Sequence, residues 1–481
     1  MLKTINTPAR AVPEEAVPAA GGGPLRLFPD TTGRAVTWYG LLLGVVVGTV
    51  LSLLRTTGTG PLQTIFEEDA RDILTGALDM SGLKAVLTPV QGYFVVGPRL
   101  LGELATLFPA GWAAAVLSIS SAVVTALLAV QVYAASKVHL PNRLARLAVA
   151  APLLVAPVAE TMFMEIYNRP VCLHFFAMYA LFWVLVWSPD TRAGRVGALV
   201  TIGMTGVSTA LVVAYLPLAA LRAFTRRDRM SFGMFALVAA GSALQLAAAT
   251  TSLGGVKRTG ASRMDPGWAL SQFAEWALPV SLFGRRSAHF DPAVTPEAFV
   301  PNGTGVLLAW VIVLLVVAVA ALGARRGFLR PAWLLAVALS AHSVAILALQ
   351  IMVNGWAAQR YLMTPAALLI AALVVLLRPA PGAGRRIAVA PLAVLSAFLL
   401  VVATVNYRND ETFRHDAPQW SDQVREAARW CAEDLSRGAI MVAAAPEPMQ
   451  SNVVIPCHEL RYLEPAPAWL SPDRGVIMPN S

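Results

Sequence analysis

Apolar runs recur along this 481-residue chain, at about 38–54, 111–135, 146–161, 173–188, 231–250, 303–323, 331–352, 361–378 and 387–404. A helix of roughly 20 apolar residues crosses the hydrocarbon of a bilayer and satisfies its own backbone hydrogen bonds there. Some of the runs fall short of that length, but no soluble architecture repeats such segments this often. Composition agrees. Hydrophobic residues make up 57% of the chain and charged residues 14%, whereas a soluble domain carries about a quarter charged residues. A disordered chain and a DNA-binding domain are excluded, no nucleic-acid partner is expected, and a water-soluble enzyme does not fit. The expected fold class is an all-α polytopic membrane protein.

Charge sets the register of the runs. Lys137, Arg143 and Arg146 lie in one link, Arg192 and Arg195 in a second, Arg325, Arg326 and Arg330 in a third, and Arg378, Arg385 and Arg386 in a fourth. If each run crosses once, all four links fall on the side of the N-terminus, the positive-inside pattern. Residues 196–221 have basic residues at both ends, Arg195 before and Arg222, Arg226, Arg227 and Arg229 after. A hairpin entering and leaving on the cytoplasmic side keeps the later links in register, either as two short helices or as a re-entrant loop. Residues 92–108, interrupted by Arg99 and Glu103 and ended by Pro109, fit a helix lying at the outer surface. The expected domain plan is a disordered cytoplasmic tail over 1–37, with the first span an uncleaved anchor, and a membrane domain over 38–404. That domain has about nine crossings, or eleven if both halves of the hairpin cross.

Three long segments then face outward: 55–110 with amphipathic helices, 251–302, and a C-terminal segment over 405–481. The second holds a short amphipathic helix from Trp268 to Leu282, flanked by Lys257, Arg258, Arg263, Arg285 and Arg286. In the third, Ser421 is placed to cap a helix running to about Leu435, with Val424, Ala427, Ala428 and Cys431 on its apolar face. Short strands follow at 439–444 and 453–456. Cys431 and Cys457 both lie outside, where an oxidised pair and two reduced buried cysteines are alternatives. About 75 residues can form a small folded cap.

The chemistry-bearing residues gather in the outward segments. Glu67, Glu68, Asp69 and Asp72 form an acidic cluster with Arg71 just beyond the first run. A carboxylate there, Asp69 or Glu68, can deprotonate an acceptor hydroxyl near the outer leaflet or coordinate a divalent ion, and an acid-rich helix start is the alternative. Glu160 and Glu165 stand at the end of the third run or just after it, Asn168 and Arg169 precede the fourth and His174 enters it, and Arg360 and Tyr361 stand at the start of the eighth. The topology brings these to one membrane face, where an arginine can clamp a phosphate or diphosphate. No Walker-type loop, dinucleotide-binding glycine motif, HExxH or GxSxG is present.

Four stretches resemble the multi-spanning, lipid-linked-sugar-dependent glycosyltransferases of the GT-C fold: TIFEEDARDI (64–73), GYFVVGPRLLGELATLFP (92–109), EIYNRPVCLHFFAMYALFWVL (165–185) and QRYLMTPAALLI (359–370). The stretch 207–224 is also similar to a segment common in that group. The resemblance implies a GT-C-like helical bundle with a small extracytoplasmic α/β C-terminal segment. It also implies a carboxylate in the first outward loop that activates the acceptor or contacts a metal, with Asp69 the best match and Glu68 next. Arginines at the membrane surface would hold the donor lipid phosphate, which nominates Arg169 and Arg360, with Arg99 as a further candidate. The expected function is inverting transfer of a sugar from a polyprenyl-phosphate carrier to an envelope glycan, glycolipid or protein, in a bacterial plasma membrane with the C-terminus outside. Two alternatives stand beside it: a transporter or flippase of an envelope precursor, and a non-catalytic assembly protein.

Overall fold

The computed structural model describes residues 27–30, 37–80, 82–158, 165–251, 262–284, 288–290, 299–355, 358–382, 384–408, 412–434, 436–445 and 451–460. The helices that position the site are α1 (Trp38–Leu53), α2 (Val96–Thr106), α3 (Ala113–Ala135), α4 (Arg143–Ala150), α5 (Leu173–Val186), α6 (Arg192–Gly206), α7 (Leu216–Arg226), α8 (Arg229–Thr251), α9 (Gly303–Arg325), α10 (Trp333–Asn354), α11 (Met363–Leu376), α12 (Arg385–Val405) and α13 (Trp420–Glu433). Among the described residues six helical stretches are long and apolar enough to cross a membrane, and α1 and α5 are shorter apolar helices. The chain is a largely helical, multi-spanning membrane protein with a small C-terminal β-hairpin.

Two helices are apolar all round, and they stand at the centre. All of α11 is buried, as is all of α5 apart from Ala177, and the two pack against each other. A helix with no polar face can be covered only on every side. By contrast α9 and α12 keep most of their side chains on the outside of the bundle, as lipid-facing helices do. The basic links gather at one end of the molecule: the Arg330 N–H donates to the Arg378 carbonyl (2.8 Å), and Arg222 Nη1 reaches the Leu185 carbonyl (2.7 Å). The acidic loop and Arg169 lie at the opposite ends of α5 and α11.

Several expectations are changed by the packing. Residues 27–30, read as part of a disordered tail, are docked: Phe28 is buried, Asp30 pairs with Arg226 (2.7 Å), and the Phe28 carbonyl accepts from the same arginine. Residues 146–161 do not make one continuous helix. The helical path α4 breaks at Ala151, a single turn Pro152–Val155 follows, and residues 156–158 are irregular. The hairpin region is α6, a 3₁₀ segment Ala210–Tyr215 capped by Thr209, and α7.

In the second outward segment, Asp265 caps a helical path from Pro266 to Phe283 that passes through a π-helical turn at Phe273–Ala277. Its second half is not a surface helix, because Trp276, Leu278, Val280 and Leu282 are buried against α9 and α11. Lys257, Arg258, Arg285 and Arg286 lie outside the described residues, as do Glu160 and Leu435. β1 (Ala288–Phe290) and β2 (Phe299–Pro301) form a short antiparallel pair in the same segment.

The C-terminal cap consists of α13, β3 (Ala439–Val442) and β4 (Val453–Pro456), the strands pairing antiparallel with Ile440 opposite Ile455. Ser421 is not the cap residue. The helix starts at Trp420, whose N–H donates to the Gln63 carbonyl (2.7 Å) and whose indole donates to the Ala110 carbonyl (2.8 Å). Docking of the tryptophan fixes the start, so no side-chain cap is used. Val424, Ala427 and Cys431 face inward, and a Cys431–Cys457 disulfide joins the end of α13 to the end of β4.

Candidate functional site

The loop after α1 is held from two sides. On one, Phe66 forms a parallel bridge with Ala445 of the cap; the Glu67 N–H donates to the Ala445 carbonyl (2.7 Å) and the Ala445 N–H to that of Ile65 (2.9 Å). On the other, Arg414 is fully buried beneath the loop and donates to the Thr64 side chain (2.7 Å) and carbonyl (2.9 Å). The chain passes Glu67 at φ +44° and enters a π-helical turn, Asp69–Leu74. Left-handed backbone at a glutamate and π-helical turns are both uncommon, and both concentrate at functional sites.

The second contributor is the segment before α5. Asn168, at φ +59°, exchanges two hydrogen bonds with Ser52 of α1, both 2.9 Å. That anchor sets the direction of Arg169. Its Nη2 meets Glu68 Oε2 at 2.5 Å, its Nε meets Asp69 Oδ2 at 3.0 Å, and its Nη1 donates to the Glu165 carbonyl at 2.9 Å. The guanidinium also stacks over the Phe66 ring at 4.3 Å. Arg360, at the start of the path into α11, approaches from the third side, 3.4 Å from Glu68 Oε1 and 3.8 Å from Glu67 Oε2.

Three acids and two arginines therefore share one buried cluster, leaving one negative charge unbalanced when all are ionised. Burial pushes the Glu67 carboxyl up to about 7, helped by the charge of Glu68 and only partly opposed by Arg169. Burial also acts on Glu68, but Arg360 and Arg169 outweigh it and hold that carboxyl below its ordinary value. Asp69 is raised: its burial exceeds the pull of Arg169 and of the Val171 N–H, which donates to its Oδ1 at 2.8 Å. Burial thus biases Glu67 and Asp69 toward the protonated form, while Glu68 is the carboxyl that the two arginines hold ionised.

A cavity of about 520 Å³ opens beside the cluster. Glu68, His174, Arg360 and Tyr361 line it at the polar end, and α8 and α10 form its walls above the 3₁₀ segment 210–215. Most of the wall is apolar, and Leu246, Val213 and Val353 on it are 66%, 41% and 38% exposed.

The residues expected from the sequence divide into two groups. Glu68, Arg360, Tyr361 and His174 meet at the cavity. Asp69 does not reach it: its side chain is 3% exposed, and both oxygens are held by Arg169 and the Val171 N–H. Arg169, Asn168 and Glu165 lie behind the acids, with Glu165 Oε2 3.4 Å from Arg414. Arg99 is not brought to the cavity; it is buried under the π-helical turn, donating to the Asp72 carbonyl and packed against Gly76.

Glu67 stands out in the sequence only as a member of the acidic cluster, and Arg414, Gln350 and Asn354 do not stand out as candidates there. The last two had a signal, amides four residues apart on an otherwise apolar run, which in a membrane face protein and not lipid.

The acids do not make a ready cation site, since the oxygens of Glu68 and Asp69 are turned to guanidinium groups and a backbone N–H. Among the described residues no group of three or more His, Cys, Asp or Glu side chains converges as metal ligands do.

No family model matches the chain, and no curated protein matches it. Among solved structures, the Archaeoglobus fulgidus oligosaccharyltransferase complexed with zinc and sulfate is weakly similar, with 12% identity and a TM-score of 0.37 over 82% of this chain and 56% of that one. The chain thus corresponds to little more than half the length of that protein.

Proposed function

We propose that this protein is an integral membrane glycosyltransferase that takes a sugar from a polyprenyl-phosphate donor and passes it to a hydroxyl of an envelope acceptor. The acid end of the bundle faces out of the cell and the basic end faces the cytoplasm, as the positive-inside bias of the links favours. The observation that carries the reading is Arg360 with Glu68 at the polar end of an apolar cavity whose wall carries exposed apolar side chains. A long isoprenoid tail suits the apolar walls, and a phosphate suits the exposed edge of a guanidinium. The sequence resemblance to GT-C glycosyltransferases points the same way.

In this reading Arg360 holds the phosphate of the donor. The acceptor oxygen attacks the anomeric carbon from the face opposite the phosphate. The bond from that carbon to the phosphate oxygen breaks with its electron pair going to the phosphate, so configuration inverts. The acceptor proton passes to Glu67, the most exposed carboxylate of the cluster, whose carboxyl burial pushes up to about 7. Glu68 stays ionised and aligns Arg360, while Asp69 and Arg169 are positioning residues that fix the π-helical turn beneath it. The base is therefore assigned to Glu67 in place of Asp69, whose oxygens are committed elsewhere.

Lipid analysis of a deletion strain tests this. A polyprenyl-phosphate sugar should accumulate, and wild-type protein but neither E68Q nor R360A should clear it while forming a new glycosidic bond. A strain with no such lipid, or clearance by movement across the membrane with no new bond, rejects the transferase reading.

A further inference from the structure

One wall of the cavity differs chemically from Arg360. Gln350 Nε2 donates to the carbonyls of Ile346 (3.2 Å) and Tyr361 (3.4 Å). Those two acceptors fix the amide, because the flipped orientation would set oxygen against oxygen. Its Oε1 is buried and has no hydrogen-bond partner. One turn further along α10, Asn354 Nδ2 donates to Tyr361 Oη at 2.7 Å, so the nitrogen half of that amide is engaged as well. Gln350, Asn354 and Tyr361 all line the cavity together with Arg360. A buried carbonyl oxygen left without a donor is costly, and a ligand that brings a donor removes that cost.

We infer that Gln350 and Asn354 recognise the hydroxyl groups of a neutral sugar while Arg360 takes the phosphate that carries it. The inference rests on the reading of the cavity as a donor-lipid site and names the class of sugar it accepts. Phosphate oxygens only accept, so the amide oxygens repel them and leave them to the guanidinium. Sugar hydroxyls donate, so they satisfy the amide oxygens. A sugar bearing a carboxylate would meet Gln350 Oε1, the oxygen half of Asn354 and Glu68 together, with Arg360 already engaged by the phosphate. Sites that hydrogen-bond a substrate hydroxyl discriminate strongly against analogues that cannot supply it.

The test measures binding of three probes to purified protein in nanodiscs: bare polyprenyl phosphate, polyprenyl-phosphate hexose and polyprenyl-phosphate hexuronate. The readout is the ratio of sugar-carrier to bare-carrier affinity within each protein. In wild type the hexose carrier should bind about tenfold more tightly than the bare carrier, the equivalent of one or two hydrogen bonds, and the hexuronate carrier no more tightly. Q350M and, independently, N354A should each shrink the hexose ratio toward one.

If the bare carrier binds but the hexose adds nothing, the inference is wrong and the lipid site stands. The same holds if both variants keep the full hexose gain or if the hexuronate is preferred. If wild type does not bind the bare carrier, the donor-lipid reading fails and this inference falls with it.

Discussion

At the scale of residues, the site is governed by an imbalance of charge in a place with little water. Two arginines face three clustered carboxylates; they hold Glu68 ionised, while burial raises Asp69 and pushes Glu67 up to about 7. If Glu67 is the base, it works only when ionised. Transfer should therefore hold a plateau above pH 7 and fall as the pH drops through that value, since the protonated carboxyl cannot accept the acceptor's proton. E67Q should lower turnover by about 10²–10⁴-fold, the usual contribution of a general base, and abolish the acid limb. A pH–rate profile of both proteins on one donor checks this, and an unchanged limb in E67Q removes Glu67 from the role. The run EED was visible as an acidic cluster from the start, but spacing does not tell which of three adjacent carboxylates is held ionised and which are raised. That is decided by Arg169 and Arg360, about 100 and 290 positions away in the chain, and by the left-handed turn at Glu67.

At the scale of elements, close backbone approach does what apolar burial cannot do in lipid, where greasy surfaces gain nothing by meeting. Gly206 at the end of α6 faces Gly241 in α8, and a Cβ at Gly241 would lie 2.7 Å from the Gly206 Cα. One turn on, Gln245 clasps the contact, its Nε2 donating to the Gly206 carbonyl (3.2 Å) and the Phe94 carbonyl (3.1 Å) while its Oε1 accepts the Phe94 N–H (2.9 Å). G241L should force α6 and α8 apart and destabilise the protein by about 1–3 kcal/mol, the range for overpacked sites. Thermal unfolding in detergent reads it, and an unshifted midpoint would mean the helices are not in contact there. Apolar periodicity located most of the long helices, because length and hydropathy alone specify them. It did not find the break after α4 or the burial of the Pro266–Phe283 path. Both depend on neighbouring helices, and a hydropathy run carries no information about those neighbours. The cap was legible for a related reason: amphipathic α13 and the alternating strands show a one-sided face in sequence, whereas the docking of Trp420 onto Gln63 and Ala110 does not.

At the scale of the whole molecule, the two ends differ in sign and the cavity joins the acidic one to the lipid-facing flank. The side chains of α8 that line it include Ala239, Ala243, Leu246 and Ala249, small residues for the most part and spaced as one helical face. Small side chains on a wall beside lipid keep a groove wide, and a groove of this polarity suits a chain of isoprene units. Ala243→Trp should fill it without touching Glu67, Glu68, Arg169 or Arg360. Binding of polyprenyl phosphate should then weaken by tenfold or more, at least about 1.4 kcal/mol, while the unfolding midpoint stays near that of the wild type because Ala243 is exposed and makes no core contact. A short water-soluble phosphate, which needs Arg360 but not the groove, should bind both proteins equally. Equal loss for both ligands would instead place the damage at the charged cluster, and no loss for either would mean that the lipid tail lies elsewhere on the bundle.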